Sequence, residues 1–139
     1  MSSDWTVISL REPDQRTVVE ALVATVPELN VRETAENSLL ELFTDDGEVE
    51  LVLELPRLVR VPQEVQRLLA GAEVSAVPGV RVPAVFAPGT GDPAAEPLWW
   101  QDVHVRDGLP HAAARADALC HALARRCEGA VVVPGVVQP

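Results

Sequence analysis

Asp46-Gly47, set between two runs of alternating apolar residues in 38–61 (SLLELFTDDGEVELVLELPRLVRV), constrains this chain more than any other feature. An Asp-Gly pair tolerates the positive φ values of a two-residue type I′ turn, and such a turn between period-two apolar runs predicts a β-hairpin. The turn fixes the register. With Asp46 and Gly47 at the tip, Thr44 faces Val49, Phe43 faces Glu50, Leu42 faces Leu51, Glu41 faces Val52, Leu40 faces Leu53 and Leu39 faces Glu54. Side chains alternate across a strand, so Leu40, Leu42, Val49, Leu51, Leu53 and Leu55 share one face, the expected core. The opposite face carries Leu39, Glu41, Phe43, Glu50, Val52 and Glu54. It is too acidic for a core and too apolar for an ordinary solvated surface, which makes these six the candidate partner-binding residues.

Before the hairpin, 5–10 reads as a strand covered on both faces. Pro13-Asp14 opens a helix with acidic residues at the positive end of its dipole; Val18, Ala21, Leu22, Thr25 and Val26 form its buried stripe and Pro27 ends it. Residues 30–37 either begin the hairpin's first strand early or remain a polar loop. After the hairpin, Pro56 cannot donate to a ladder, which calls for an edge or a bulge there before Leu58, Val59 and Val61 resume the strand. Pro62 starts a short helix over 63–70, closed by Gly71. Five prolines then make 71–98 a long loop, either a surface excursion or a partner-binding segment.

Residues 98–106 form a strand with Trp99, Val103 and Val105 on one side and Trp100, Asp102, His104 and Arg106 on the other. Leu109-Pro110 opens the longest helix, running to about Glu128, with Ala113, Ala116, Leu119, Cys120, Leu123 and Cys127 as its stripe and Gly129 as its stop. A buried strand at 130–133 follows, reached by a right-handed parallel crossover. The order β-α-β-β-α-loop-β-α-β is that of one α+β domain over 1–139: a mixed, mainly antiparallel sheet, helices packed mostly on one side and a Pro-rich loop at 71–98.

Charge narrows the partners. There are 21 acidic residues against 11 basic ones, every basic residue is Arg, and the net charge is -10. The part through Glu54 holds 13 acids and 3 Arg, and the remainder holds 8 of each. A surface of that sign repels phosphate backbones and anionic headgroups, which disfavours nucleic acid and membrane; a protein with a basic surface is the compatible partner, and homo-oligomerisation stays open. The N-terminus lacks a basic n-region and no stretch approaches the roughly 18 apolar residues of a membrane span, so a cytoplasmic location is expected. Cys120 and Cys127, seven apart on a helix, stand roughly 10 Å apart and should be free thiols.

Motifs for chemistry are sparse. Gly89-Thr90-Gly91 lacks the third glycine and the lysine of a phosphate loop, and His104, His111 and His121 fit no zinc spacing, so neither cofactor nor metal is expected. Asp102 and His104 on one strand face could orient a base for Cys120, which gives a small hydrolase-like enzyme as the alternative function. Alternating polar residues are, however, what any one-sided strand shows, and a cysteine in an apolar stripe is ordinarily an inert small hydrophobe. Trp99-Trp100 reads as core anchorage plus one partly exposed ring.

The succession of the Asp-Gly hairpin, LPRLVRVPQEVQRLL, the Trp pair in LWWQDVHV and ALARRCEGAVVVP resembles a family of small uncharacterised actinobacterial proteins encoded near type VII secretion genes. The likeness covers 38–134 with 71–97 as an insertion, and an all-Arg basic set suits a high-GC genome. It implies a cytosolic accessory, chaperone or immunity-type protein and carries over no catalytic residue. Together these observations favour a non-enzymatic protein-interaction module that uses its acidic-apolar sheet face or its Pro-rich loop.

Overall fold

Trp5 and Val7 alternate with Thr6 and Ile8, and a strand with that pattern needs cover on both faces. The computed structural model, which describes residues 3–34, 38–60, 64–65, 67, 72–81, 83, 97–106 and 108–134, places β1 (Ser3–Ser9) inside the sheet with Trp5 to Ser9 all buried. The other strands are β2 (Asn30–Thr34), β3 (Leu39–Phe43), β4 (Val49–Glu54), β5 (Arg57–Val59), β6 (Val74–Ala76), β7 (Leu98–Val105) and β8 (Gly129–Val132). They run in the order β2-β3-β4-β7-β1-β8-β6, and β5 pairs with β7 beyond the end of β4. The fold is α+β, and the described pairings are all antiparallel, where a mixed sheet was expected. The reason lies in β1. It enters between β7 and β8, so these two strands run parallel to each other without touching.

Helices α1 (Gln15–Thr25) and α2 (Pro110–Cys127) pack on one face of the sheet. Asp14 caps α1 by accepting from the Thr17 amide at 2.8 Å, and Val18, Ala21 and Leu22 are buried as the stripe requires. Ala112, Ala116, Leu119, Cys120, Leu123, Ala124 and Cys127 turn α2 inward. Both helices share one core with Trp5, Val7, Leu42, Leu51, Leu53, Val103, Val105 and Val131. A smaller core of Ile8, Val65, Leu98 and Val132 occupies part of the other face. Gly129 does not provide the left-handed stop of α2. Glu128 takes that conformation at φ 54, while Gly129 already belongs to β8, where a Cβ would lie 2.6 Å from the Ile8 carbonyl oxygen.

The inner hairpin register is as expected, with Leu42 opposite Leu51 and Leu40 opposite Leu53. The tip differs. Gly47 donates to the Thr44 carbonyl at 2.8 Å and Thr44 donates to that of Glu48 at 2.9 Å, closing a three-residue loop with Gly47 at φ 86. Phe43 therefore meets Val49, and Glu50 is the surplus residue of a β-bulge. Residues 30–34, undecided from sequence, form the separate strand β2 against β3, and Val74–Ala76 forms β6 against β8 within the expected loop. Of the edge or bulge expected at Pro56, the register shows a bulge: β4 and β5 both pair with β7, one residue out of step. Of the helix expected over 63–70, Glu64, Val65 and Arg67 are helical, and the rest lies outside the described residues, as does most of 82–96.

Candidate functional site

Alternation from Leu40, Leu42, Leu51 and Leu53 puts Leu39, Glu41, Phe43, Val52 and Glu54 on the sheet face away from the helices, where all five are half-buried. Their polar groups are spent within the chain. Glu41 accepts from Arg32 Nε at 2.7 Å, and the same guanidinium lies 4.7 Å over the Phe43 ring. Glu54 meets His104 Nε2, while His104 Nδ1 lies 2.7 Å from Asp4. Burial pulls the His104 pKa down, but hydrogen bonds and charge from Asp4 and Glu54 outweigh it and hold the imidazole above its usual value.

Glu50 is not on that face. The bulge turns its side chain under α2, 1% exposed, where Arg115 Nη1 and His111 Nε2 (3.0 Å) both donate to it. Arg115 also reaches Glu28 at 3.0 Å. Glu50 thus fastens the hairpin to α2 and to the end of α1, and it offers no charge to a partner.

The hydrolase-like constellation is not assembled. Asp102 accepts from Thr6 Oγ1 at 2.7 Å and from Trp100 Nε1 at 2.9 Å, and Arg57 stands 3.6 Å away while lying 5.7 Å from the Trp100 ring centroid. Cys120 lies in the helix-side core, so the sheet separates it from His104. Burial and the neighbouring Asp117 raise its thiol pKa, and burial likewise pushes Cys127 up to about 11. Both cysteines are free, buried thiols. His121 closes a separate tie: Nδ1 donates to the Asp117 carbonyl of its own helix at 2.8 Å, which leaves Nε2 to accept from Ser75 Oγ at 2.8 Å. That contact fastens strand β6 to α2. Among the described residues, no group of three or more His, Cys, Asp or Glu is placed to hold a metal ion.

The concave site lies elsewhere. α1 packs closely on α2 and stands off β2 and β3, leaving a groove of about 670 Å³ on the helix side. Val18, Leu22 and Val26 of α1 form one wall; Val31, Leu40, Leu55 and Pro56 belong to the sheet side. Apolar surface continues past the cavity. Val23 is 65% exposed, Val19 50%, Leu55 55% and Val31 46%. Glu12, Asp14 and Glu33 lie along the rim and take part in none of the ion pairs among the described residues. The Asp14 carboxyl is held below its usual pKa by its hydrogen bonds from Thr17.

Gln101 also lines the groove, and its position follows from the Pro56 bulge. Where the ladder between β4 and β7 breaks, the Glu54 carbonyl accepts instead from Gln101 Nε2 at 3.1 Å. That bond orients the amide. Oε1 is left buried with no partner among the described residues, in a side chain only 2% exposed. Apart from Glu54, which also borders the groove, none of these residues was singled out as a site from sequence. The available signals were a second apolar stripe, Val19 and Val23 beside Val18 and Leu22, and a polar residue at an inward position of β7. No helix among the described residues is long and apolar enough to cross a membrane. Comparison with protein-family models, curated proteins and solved structures finds no match to this chain.

Proposed function

We propose that this chain is a non-enzymatic protein-interaction module that receives an apolar segment of a partner protein in the groove between α1 and strands β2–β4. The observation that carries this reading is the apolar surface that runs out of the cavity over Val19, Val23, Val31 and Leu55. A small molecule filling 670 Å³ would leave that rim in water, whereas a polypeptide segment covers cavity and rim together. The acids at the rim, outside the ion pairs of the described residues, favour a basic partner and disfavour a second copy of a chain whose net charge is -10. The outer sheet face takes second place, because Glu41, Glu54 and Phe43 already have partners inside the chain. Two buried free thiols suit a reducing compartment, and a cytosolic accessory, chaperone or immunity-type role linked to type VII secretion is compatible with this mode of binding.

A 16-residue amphipathic helical peptide of Leu and Lys, titrated into ¹⁵N-labelled protein, tests the site. Shifts are expected at Val19, Leu22, Val23, Val31 and Leu55, and they should disappear in Val23→Asp. Shifts confined to Glu41, Val52 and Glu54, or none at all, would overturn the assignment.

A further inference from the structure

Accepting the groove as the partner site, we propose that its occupant is an amphipathic helix with a basic flank and, within its apolar stripe, one side chain that donates a hydrogen bond to Gln101 Oε1. Three observations converge on that chemistry. The first is the incomplete helical layer. A seven-strand path at about 4.8 Å per strand is roughly 30 Å wide, while two helices packed at roughly 10 Å cover about 20 Å. α2 lies over β1, β7 and β8, and α1 leans on α2, while among the described residues the β2–β3 side of the same face stays open. The open width is that of one further helix, laid alongside α1 in the helix-in-groove mode.

The second is the acceptor. Gln101 Nε2 is committed to the Glu54 carbonyl, so exchanging the amide's O and N would set two oxygens against each other and lose that bond. Oε1 therefore stays an acceptor, buried and without a partner among the described residues. Past its first turn a helix satisfies its own backbone amides, so a donor within the apolar stripe is a side chain such as Ser, Thr, Tyr, Asn, Gln, His or Trp. A segment without one strands Oε1 against hydrocarbon, a loss that discriminates between ligands more sharply than a missing methylene does. The third is charge. Glu12 and Glu33 line the rim outside the ion pairs of the described residues, with Asp14, which caps α1, beside them, so Lys or Arg on the helix flank finds acceptors there.

Selection of a phage-displayed library of 16-residue peptides on the intact protein, with Val23→Asp as the counter-selected competitor, reads all three properties. The expected pool has apolar residues at helical spacing, a basic flank and a donor at one fixed apolar-stripe position. Selected peptides should bind about tenfold more weakly when that donor is replaced by Ala, and the difference should vanish on Gln101→Met. If the Met variant does not fold, the peptide side provides the check on the wild-type protein: replacing the donor by its nearest apolar isostere, such as Thr by Val, should weaken binding by about tenfold, and unchanged affinity would overturn the inference. Groove-dependent peptides with no donor preference would overturn this inference and leave the binding module standing. An absence of peptides sensitive to Val23→Asp would remove both.

Discussion

A carboxylate taken out of water is destabilising unless its lone pairs are met, and Glu50 is met by both Arg115 and His111. Glu50→Ala should lower unfolding free energy by about 2–4 kcal/mol, somewhat less than breaking a fully buried pair, because Arg115 is partly exposed and retains Glu28. Urea denaturation gives the number; a loss under about 0.5 kcal/mol would mean the network is only decorative. His104 makes a pH-dependent contribution of predictable sign. Its folded pKa lies above the ordinary 6.5, so its stabilisation is complete below about that pH and fades as pH rises through the raised folded value. Ring-proton titration should place its midpoint above that of free histidine, and Asp4→Asn with Glu54→Gln should bring it down. A midpoint below the ordinary value in the wild type would refute the Asp4–His104–Glu54 bridge.

At the scale of elements, the hairpin depends on its inner face, where Leu42 and Leu51 are both fully buried and directly opposed. Leu51→Ala should cost about 2–5 kcal/mol, measured as a shift in the urea midpoint at unchanged slope. A loss below about 0.5 kcal/mol would mean that this face is not core. That inner register was legible because alternation and an Asp-Gly tip point the same way. The tip itself was not legible: Thr44 Oγ1 accepts from the Glu48 amide and Asn30 Nδ2 donates to Asp45, contacts that depend on side chains and on a neighbouring strand. One residue of slip there reversed the face of Glu50. The β2 strand was ambiguous for a similar reason, since Val31, Arg32 and Glu33 are exposed and their sequence carries little burial signal. The helices were easier, and the buried stripe expected of α1 is buried at Val18, Ala21, Leu22 and Val26. Val19 and Val23 lie beside that stripe, exposed, as a second apolar edge that the chain's own core does not use. Gln101 was passed over because an inward polar residue is explained only by the Pro56 bulge and the freed Glu54 carbonyl, which emerge once β4, β5 and β7 are placed together.

On the scale of the whole molecule, the sheet divides two surfaces of different character. One carries polar residues that neutralise each other, as in Asp4–His104–Glu54 and Thr6–Asp102–Arg57, around a small apolar patch at Ile8 and Leu98. The other carries the main core and, beside it, an apolar groove with acids on its rim. If the apolar rim served folding, its valines would be buried by the chain, and they are not. Val19→Ser with Val23→Ser should therefore leave the unfolding free energy within about 0.5 kcal/mol of wild type, the ordinary range for exposed positions away from caps and ion pairs. Ser is a slightly poorer helix former than Ala and comparable to Val, so propensity adds little to that difference. The same pair of substitutions should abolish binding of the Leu/Lys peptide, because it removes apolar surface at the groove mouth without adding charge. Stability and binding would then separate in one variant. A loss above about 2 kcal/mol would place Val19 and Val23 in the folding core and leave the groove without its apolar rim.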